Sequence, residues 1–156
     1  MGALPTFIPP PHRLEELGIV GGVRWINDSK ATNPAAVVHS VTYVGSPLWL
    51  LAGGEAKGGD FSSWKSALFS KIRALLAFGR AAPGLVADME HWLPVEQYAT
   101  LRAAVERVAR LAKPGDVVLL SPGCASYDEF GGYAERGEAF GNYIEEVERW
   151  KSTEET

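Results

Sequence analysis

Residues that could bind a small anion occur in three short segments of this sequence. The segments cover residues 27–33 (NDSKATN), 53–60 (GGEAKGGD) and 121–128 (SPGCASYD). They supply the lysines Lys30 and Lys57, several hydroxyl groups and backbone N–H groups at the starts of predicted helices. Ammonium groups and oriented N–H donors are typical ligands of carboxylates and phosphates. The residue types therefore predict a site for a small anion that bears carboxylates.

Several common catalytic signatures are absent from the sequence. The segment 53–60 lacks the G-x-x-x-x-G-K-[ST] order of a P-loop, and no G-x-G-x-x-G follows the first predicted strand. The single cysteine, Cys124, cannot form an internal disulfide, and no histidine lies in a companion motif that would activate it. Cysteine and histidine have no recognised zinc spacing, so no metal site is predicted.

A structural role remains an alternative for each of these polar residues. Lys57 is equally compatible with a ligand role and with a solvated loop lysine. Ser121 and Ser126 are plausible helix caps, and Asp28 is an ordinary turn residue. From the residues alone, the interpretation stops at an anion-binding domain.

Alternating strand and helix patterns must position the three segments. Apolar runs predict strands at residues 23–27, 48–52, 74–78, 94–98 and 117–120. Helical periodicity predicts helices at residues 33–43, 61–71 and 82–92, another that begins after Thr100, and a final one that contains Phe140 and Trp150. This alternation predicts an α/β fold, a doubly wound and mostly parallel sheet of five to six strands with helices on both faces. Right-handed crossovers place every strand-to-helix loop at one edge, so the three segments should meet there.

Length and composition fit a single domain. The 156 residues include 15 basic and 19 acidic ones, and the net charge of −4 excludes a general polyanion-binding surface. The apolar runs are far shorter than the roughly 20 residues of a membrane span, and no secretory signal is visible, so we expect a cytoplasmic protein. The proline-rich residues 1–11 are predicted to be a linker from an upstream domain. Residues 12–150 are predicted to form the domain itself, and residues 151–156 a frayed tail.

Four motifs in order along the chain resemble those of the Mur ligase family. Residues 27–34 (NDSKATNP) resemble the opening motif of its C-terminal domain, and residues 11–15 (PHRLE) resemble the linker before it. Residues 50–57 (LLAGGEAK) are similar to the family's glycine-rich lysine loop, and residues 120–126 (LSPGCAS) to its last strand-to-helix turn. The first motif is most similar to that of the D-glutamate-adding members. The resemblance implies a Rossmann-like Mur ligase C-terminal domain.

This resemblance implies a part in making a peptidoglycan precursor. In the D-glutamate-adding members, ATP converts the carboxylate of UDP-N-acetylmuramoyl-L-alanine into an acyl-phosphate, which the amino group of D-glutamate attacks. An N-terminal domain binds the UDP sugar, a central domain holds the P-loop and magnesium, and the C-terminal domain brings in the amino acid. We expect ATP and Mg²⁺ to be held mostly by the upstream domains, and this chain alone to be an inactive monomer that binds neither nucleic acid nor membrane.

The family's functional residues carry over to matching positions of this sequence. The contacts to D-glutamate are implied at Thr32, Lys57, Ser126, Tyr127 and Tyr133. At Tyr127 a backbone N–H contact is the expected one, and Tyr133 stands where the family often has phenylalanine. Arg13 and Asp28 resemble residues that reach the nucleotide, and Lys30 corresponds to a catalytic position near the reacting end. The alternatives are the same domain of another Mur ligase or of a folylpolyglutamate synthetase, and a non-catalytic small-anion-binding module.

Overall fold

The computed structural model describes residues 10–44, 47–56, 61–68 and 70–154. Its elements in chain order are β1 (Glu15–Val20), β2 (Val23–Asn27), α1 (Pro34–Val44), β3 (Leu48–Gly53), α2 (Trp64–Leu68), β4 (Ile72–Phe78), α3 (Ala82–Met89), β5 (Val95–Tyr98), α4 (Leu101–Leu111), β6 (Val117–Gly123) and α5 (Tyr133–Glu154). The six strands form one sheet in the order β1-β2-β6-β3-β4-β5. All neighbouring pairs are parallel except β1 with β2. The predicted doubly wound, mostly parallel α/β fold is confirmed.

The central strands are apolar because both of their faces are covered. All seven residues of β6 are buried, and β6 lies between β2 and β3. One core cluster packs α1, α2 and α3 on one face of the sheet around Trp64, and the other packs α4 and α5 on the opposite face around Trp25 and Phe140. A parallel strand between two helical layers has no solvent side, which explains its continuous apolar sequence.

No strand is predicted from the sequence for residues 15–20, where the structure has β1. This strand lies at the sheet edge, and Glu16 and Ile19 are exposed, so the apolar alternation that marks a half-buried strand is missing. A tight turn through Gly21 and Gly22 joins β1 to β2, with φ of 62° and 79°. Positive φ at both central residues is the geometry that matches the twist of a two-residue hairpin, and glycine adopts it without strain.

Two helices are shorter than their sequence patterns predict, and one is longer. The helix α2 covers five residues and α3 ends at Met89. The helix α5 continues to Glu154 and includes four of the residues predicted to form a frayed tail. There the hydroxyls of Ser152 and Thr153 donate hydrogen bonds to carbonyls of the preceding turn. Residues 1–9 of the predicted linker lie outside the described residues, and none of the described helices has the length and apolarity to cross a membrane.

Two side chains cap the start of α4. The hydroxyl of Thr100 accepts a hydrogen bond from the backbone N–H of Ala103 at 3.1 Å. The carboxylate of Glu129 accepts one from the N–H of Leu101 at 3.2 Å. The first turn of a helix has N–H groups without intrahelical partners, so each cap satisfies a donor that would otherwise depend on water.

We expect Thr100→Ala to lower the free energy of unfolding by about 1 kcal/mol, because alanine cannot accept the hydrogen bond of Ala103. Urea denaturation of the 156-residue chain measures this change. The matched control is Thr42→Ala, at an exposed position inside α1, where the threonine hydroxyl donates to the carbonyl of Val38. Alanine favours a helix interior, so the control should change stability by less than about 0.5 kcal/mol. Equal losses in both variants would contradict the capping role.

Candidate functional site

The segments that follow β2, β3 and β6 meet at the carboxyl edge of the sheet. The N–H of Gly123 donates to the carbonyl of Ala31 at 2.8 Å, which joins the first segment to the third. Glu55 and Ala125 exchange backbone hydrogen bonds of 2.7 and 3.0 Å, which joins the second to the third. The predicted convergence is therefore confirmed for the described parts of the segments. Lys57 and residues 58–60 of the second segment lie outside the described residues.

A fully buried arginine, Arg136 in the first turns of α5, holds these segments together. Its guanidinium donates to the hydroxyl of Ser29 at 2.9 Å, to the carbonyl of Ser29 at 2.8 Å and to the carbonyl of Cys124 at 3.0 Å. A Cβ on Gly54 would lie 3.1 Å from one guanidinium nitrogen, so the second segment packs against it as well. Burial lowers the pKa of Arg136 to about 10, which still leaves it charged at neutral pH.

Asp28 is a second buried ionisable group at this edge. Its carboxylate accepts hydrogen bonds from the hydroxyls of Ser40 and Ser121 at 2.5 and 2.7 Å, and from the N–H of Leu14 at 3.1 Å. Burial raises the pKa of Asp28, although these three donors oppose the change. Ser121 therefore binds a carboxylate from another strand end and does not cap a helix, contrary to one alternative from the sequence.

A pocket of about 270 Å³ opens beside Asp28. Arg13 and Lys30 line it together with Asp28 and His39. The structure thus brings together the two residues predicted to face the nucleotide and the predicted catalytic lysine. One arginine and one lysine beside an acceptor suit a ligand that carries both negative charge and hydroxyl groups.

Lys30 lies next to Tyr133. The ammonium nitrogen of Lys30 is 5.8 Å from the centroid of the Tyr133 ring, within cation–π range. The ring of His12 meets the same tyrosine edge-on, with centroids 6.2 Å apart, and the carbonyl of His12 accepts from the N–H of Lys30 at 2.9 Å. The predicted catalytic lysine and the predicted aromatic contact of D-glutamate therefore share one surface.

The third segment holds a hydroxyl that lacks a partner in the part of the chain that the structure describes. Ser126 is 2% exposed, and its Oγ forms no hydrogen bond to any described residue. One oxygen of Asp128 is likewise unpartnered among these residues, while the other accepts from the N–H of Arg80. An unsatisfied buried polar group costs about 1–3 kcal/mol, and an acceptor that reached Ser126 would remove that cost. The side chains of Thr32 and Tyr127 are exposed.

Cys124 is a structural residue in this arrangement. Its side chain is buried, and burial raises the pKa of its thiol to about 11. A thiol with that pKa stays protonated at neutral pH, which is unfavourable for a nucleophile. Among residues 10–44, 47–56, 61–68 and 70–154, no group of three or more His, Cys, Asp or Glu side chains could hold a metal ion.

Comparison with known proteins identifies the family. The family described as "Mur ligase, glutamate ligase domain" matches residues 12–124. The chain belongs to this family. The match covers the first two segments of the site and reaches Cys124 in the third.

Among Mur ligases, the chain is similar in sequence to proteins named UDP-N-acetylmuramoylalanine–D-glutamate ligase. The protein from Chromohalobacter salexigens is 46% identical over 138 residues, which are 86% of this chain and 30% of that protein. The protein from Chlamydia caviae is 40% identical over 146 residues, which are 94% of this chain and 35% of that protein. The chain thus spans about a third of the length of these relatives. The predicted resemblance to the C-terminal domain of the D-glutamate-adding branch is confirmed.

A solved Mur ligase shows the same fold at low sequence identity. The structure of MurF ligase from Thermotoga maritima in complex with ADP superposes with a TM-score of 0.61 at 17% identity. The superposition covers 94% of this chain and 33% of that one. At this level of identity the comparison shows the architecture of the Mur ligase C-terminal domain and leaves the roles of the site residues as predictions.

Sequence reasoning missed Arg136 as a residue of the site. It is a charged residue near the start of a helix, where side chains are normally solvated, and its burial depends on acceptors from Ser29 and Cys124. The one signal in the sequence was the resemblance of residues 135–137 (ERG) to the turn that follows the family's last strand, and that resemblance implies no role for the arginine.

We expect Asp28 to stabilise this Mur ligase domain most in its protonated form. Because burial raises its folded-state pKa, its contribution is full below the unfolded-state pKa and is lost as pH rises through the folded-state pKa. The difference in free energy of unfolding between wild type and Asp28→Asn should therefore decrease from about pH 3 to about pH 7. Urea denaturation at several pH values measures it.

The matched control is Asp116→Asn. Burial acts to raise the pKa of Asp116, but donors from Lys113, Trp49 and Arg73 outweigh it and the pKa is lowered. Its contribution is therefore present above the unfolded-state pKa and is lost as pH falls, so the difference should have the opposite slope. The same slope for both variants would refute the assignment for Asp28.

Proposed function

We propose that this chain is the amino-acid-binding domain of an ATP-dependent ligase that joins D-glutamate to UDP-N-acetylmuramoyl-L-alanine. Sequence identities of 40–46% to proteins named for that reaction support this branch of the family. The fold comparison at 17% identity does not favour another branch, because it extends to the architecture alone. In this proposal the rest of the enzyme, about two thirds of its length, supplies the other domains.

The geometric observation that carries the proposal is the buried hydroxyl of Ser126. A carboxylate is an acceptor with two oxygens, so it can take a hydrogen bond from a hydroxyl that has no other acceptor among the described residues. We assign Ser126, with Thr32, Lys57 and the backbone N–H of Tyr127, to the carboxylates of D-glutamate. Lys57 would add a charge-assisted contact, which is stronger than a neutral one.

Lys30 and Tyr133 are assigned to the reacting end of the amino acid. The ammonium of Lys30 would offset negative charge that develops when the amino group of D-glutamate attacks an acyl-phosphate. A positive group held in place before the reaction stabilises such charge better than water, which must reorganise. The contact with the Tyr133 ring limits the directions that the flexible lysine side chain can take.

Arg13 and Asp28 are assigned to the nucleotide side of the domain. They line one pocket with Lys30, so an ATP molecule held mainly by another domain could contact this edge of the sheet. Arg13 would pair with phosphate, and the carboxylate of Asp28 could accept from a ribose hydroxyl. The described residues contain no metal-binding cluster, and we assign no magnesium ligand to them.

We expect D-glutamate to bind this chain with a dissociation constant on the order of millimolar or weaker, because half of a closed site leaves both carboxylates partly hydrated. NMR titration of labelled chain should shift signals of Thr32, Lys57 and residues 121–127. Ser126→Ala should weaken binding about fivefold through loss of a neutral donor, and Lys57→Ala should weaken it more. Ser152→Ala, at the far end of α5, is the matched control. Shifts centred elsewhere, or equal affinities in all variants, would overturn the site.

We expect the chain alone to release no phosphate from ATP above the buffer rate, because its sequence has no P-loop. A phosphate assay with Mg²⁺ and D-glutamate present tests this expectation. A contaminating ATPase would act equally in wild type and Lys30→Ala preparations. Release that disappears in the folded Lys30→Ala variant would contradict the expectation.

A further inference from the structure

We propose that Ser29 is a positioning residue whose hydroxyl sets the placement of Lys30 and Tyr133. Nothing in the motif resemblance or the family comparison gives Ser29 a role in the site. The inference rests on the proposed function only in so far as Lys30 and Tyr133 belong to the D-glutamate site. Its structural part, that the hydroxyl fixes their mutual position, stands on the contacts of Ser29 itself.

The two neighbours of the Ser29 hydroxyl determine the direction of its hydrogen bonds. Nε of Arg136 lies 2.9 Å from Oγ, and the carbonyl oxygen of Tyr133 lies 2.7 Å from it. A guanidinium can only donate and a carbonyl can only accept. The hydroxyl must therefore accept from Arg136 and donate to Tyr133, and it has one proton for that single donor bond.

The backbone of Ser29 is held on both sides as well. Its N–H donates to the side-chain oxygen of Asn27 at 3.1 Å, and its carbonyl accepts from Arg136 at 2.8 Å. Ser29 is fully buried, so water cannot replace these bonds. The backbone of Ser29 is thus held in place, and Lys30 is the next residue in the chain.

The same hydroxyl holds the start of α5. Tyr133 is the first residue of α5, and its carbonyl takes the bond from Ser29, 104 positions away in sequence. Tyr133 is 39% exposed and its ring meets His12 edge-on, and the backbone bond ties the first residue of α5 to the segment that carries Lys30. The hydrogen bond therefore contributes to placing the ring opposite the Lys30 ammonium. Loss of the hydroxyl would leave Nε of Arg136 without this acceptor and the carbonyl of Tyr133 without this donor. Both α5 and the first segment could then shift.

The test compares Ser29→Ala and Ser29→Cys with wild type in the 156-residue chain. Cysteine keeps nearly the volume of serine and donates weakly, so it provides a second variant if alanine impairs folding. Val108→Ala, which shortens a buried side chain of α4 in the core cluster around Trp25, is the matched control for lost stability. Two quantities are measured: the NMR shifts of the Lys30 side-chain protons without ligand, which respond to the Tyr133 ring, and the affinity for D-glutamate.

In both Ser29 variants we expect the Lys30 proton shifts to move toward those of free lysine. We expect the affinity for D-glutamate to fall about fivefold, which corresponds to the net contribution of about one hydrogen bond. In Val108→Ala both quantities should equal those of wild type. Lys30 shifts in folded Ser29 variants that match wild type would overturn the proposal. If wild type shows no binding of D-glutamate, the proposed function fails, and the Lys30 shifts still decide whether Ser29 positions the pair.

Discussion

The guanidinium of Arg136 is completely buried, and its three hydrogen bonds go to oxygens of Ser29 and Cys124, which lie in two different segments. A buried charge is costly unless polar groups surround it, so the fold must bring these acceptors to one place. A Cβ on Gly54 would collide with the carbonyl of Ala125 and would lie only 3.1 Å from the same guanidinium, so the absence of a side chain lets the second segment pack here. The three segments of the site therefore meet around one positive charge that solvent does not reach.

The strand order makes this convergence possible. Because β6 lies between β2 and β3, the loops after these strands are neighbours, although β2 and β6 are far apart in sequence. Some polar residues at this edge are buried and paired with one another, as the hydrogen bonds of Asp28 to Ser40 and Ser121 show. Ser126 differs, since its buried hydroxyl has no partner among the described residues. In the proposed function, this buried hydroxyl is a donor that D-glutamate would satisfy, and a donor already held in place needs little ordering on binding.

In this family the fold is kept at sequence identities too low to indicate a shared reaction. A Mur ligase structure with 17% identity has the same architecture, whereas relatives of 40–46% identity share a name for one reaction. The sheet and its two helical layers require only apolar residues in suitable positions, and many sequences meet that requirement. In the proposed function, the choice of amino acid depends on the loops at the carboxyl edge, where the sheet places a few polar side chains.

The sequence by itself determined the α/β class, five of the six strands and the edge at which the segments meet. These features follow from local patterns, apolar runs and helical periods, together with the fixed hand of the crossovers. The sequence did not reveal β1, whose edge position leaves Glu16 and Ile19 exposed. It also did not reveal that Ser121 bonds to Asp28, 93 positions away, instead of capping a helix. Only the tertiary structure decided that Arg136 is buried and which oxygens surround it. Buried polar groups form hydrogen bonds with groups that are close in space, and a local sequence pattern does not show which distant residues those are.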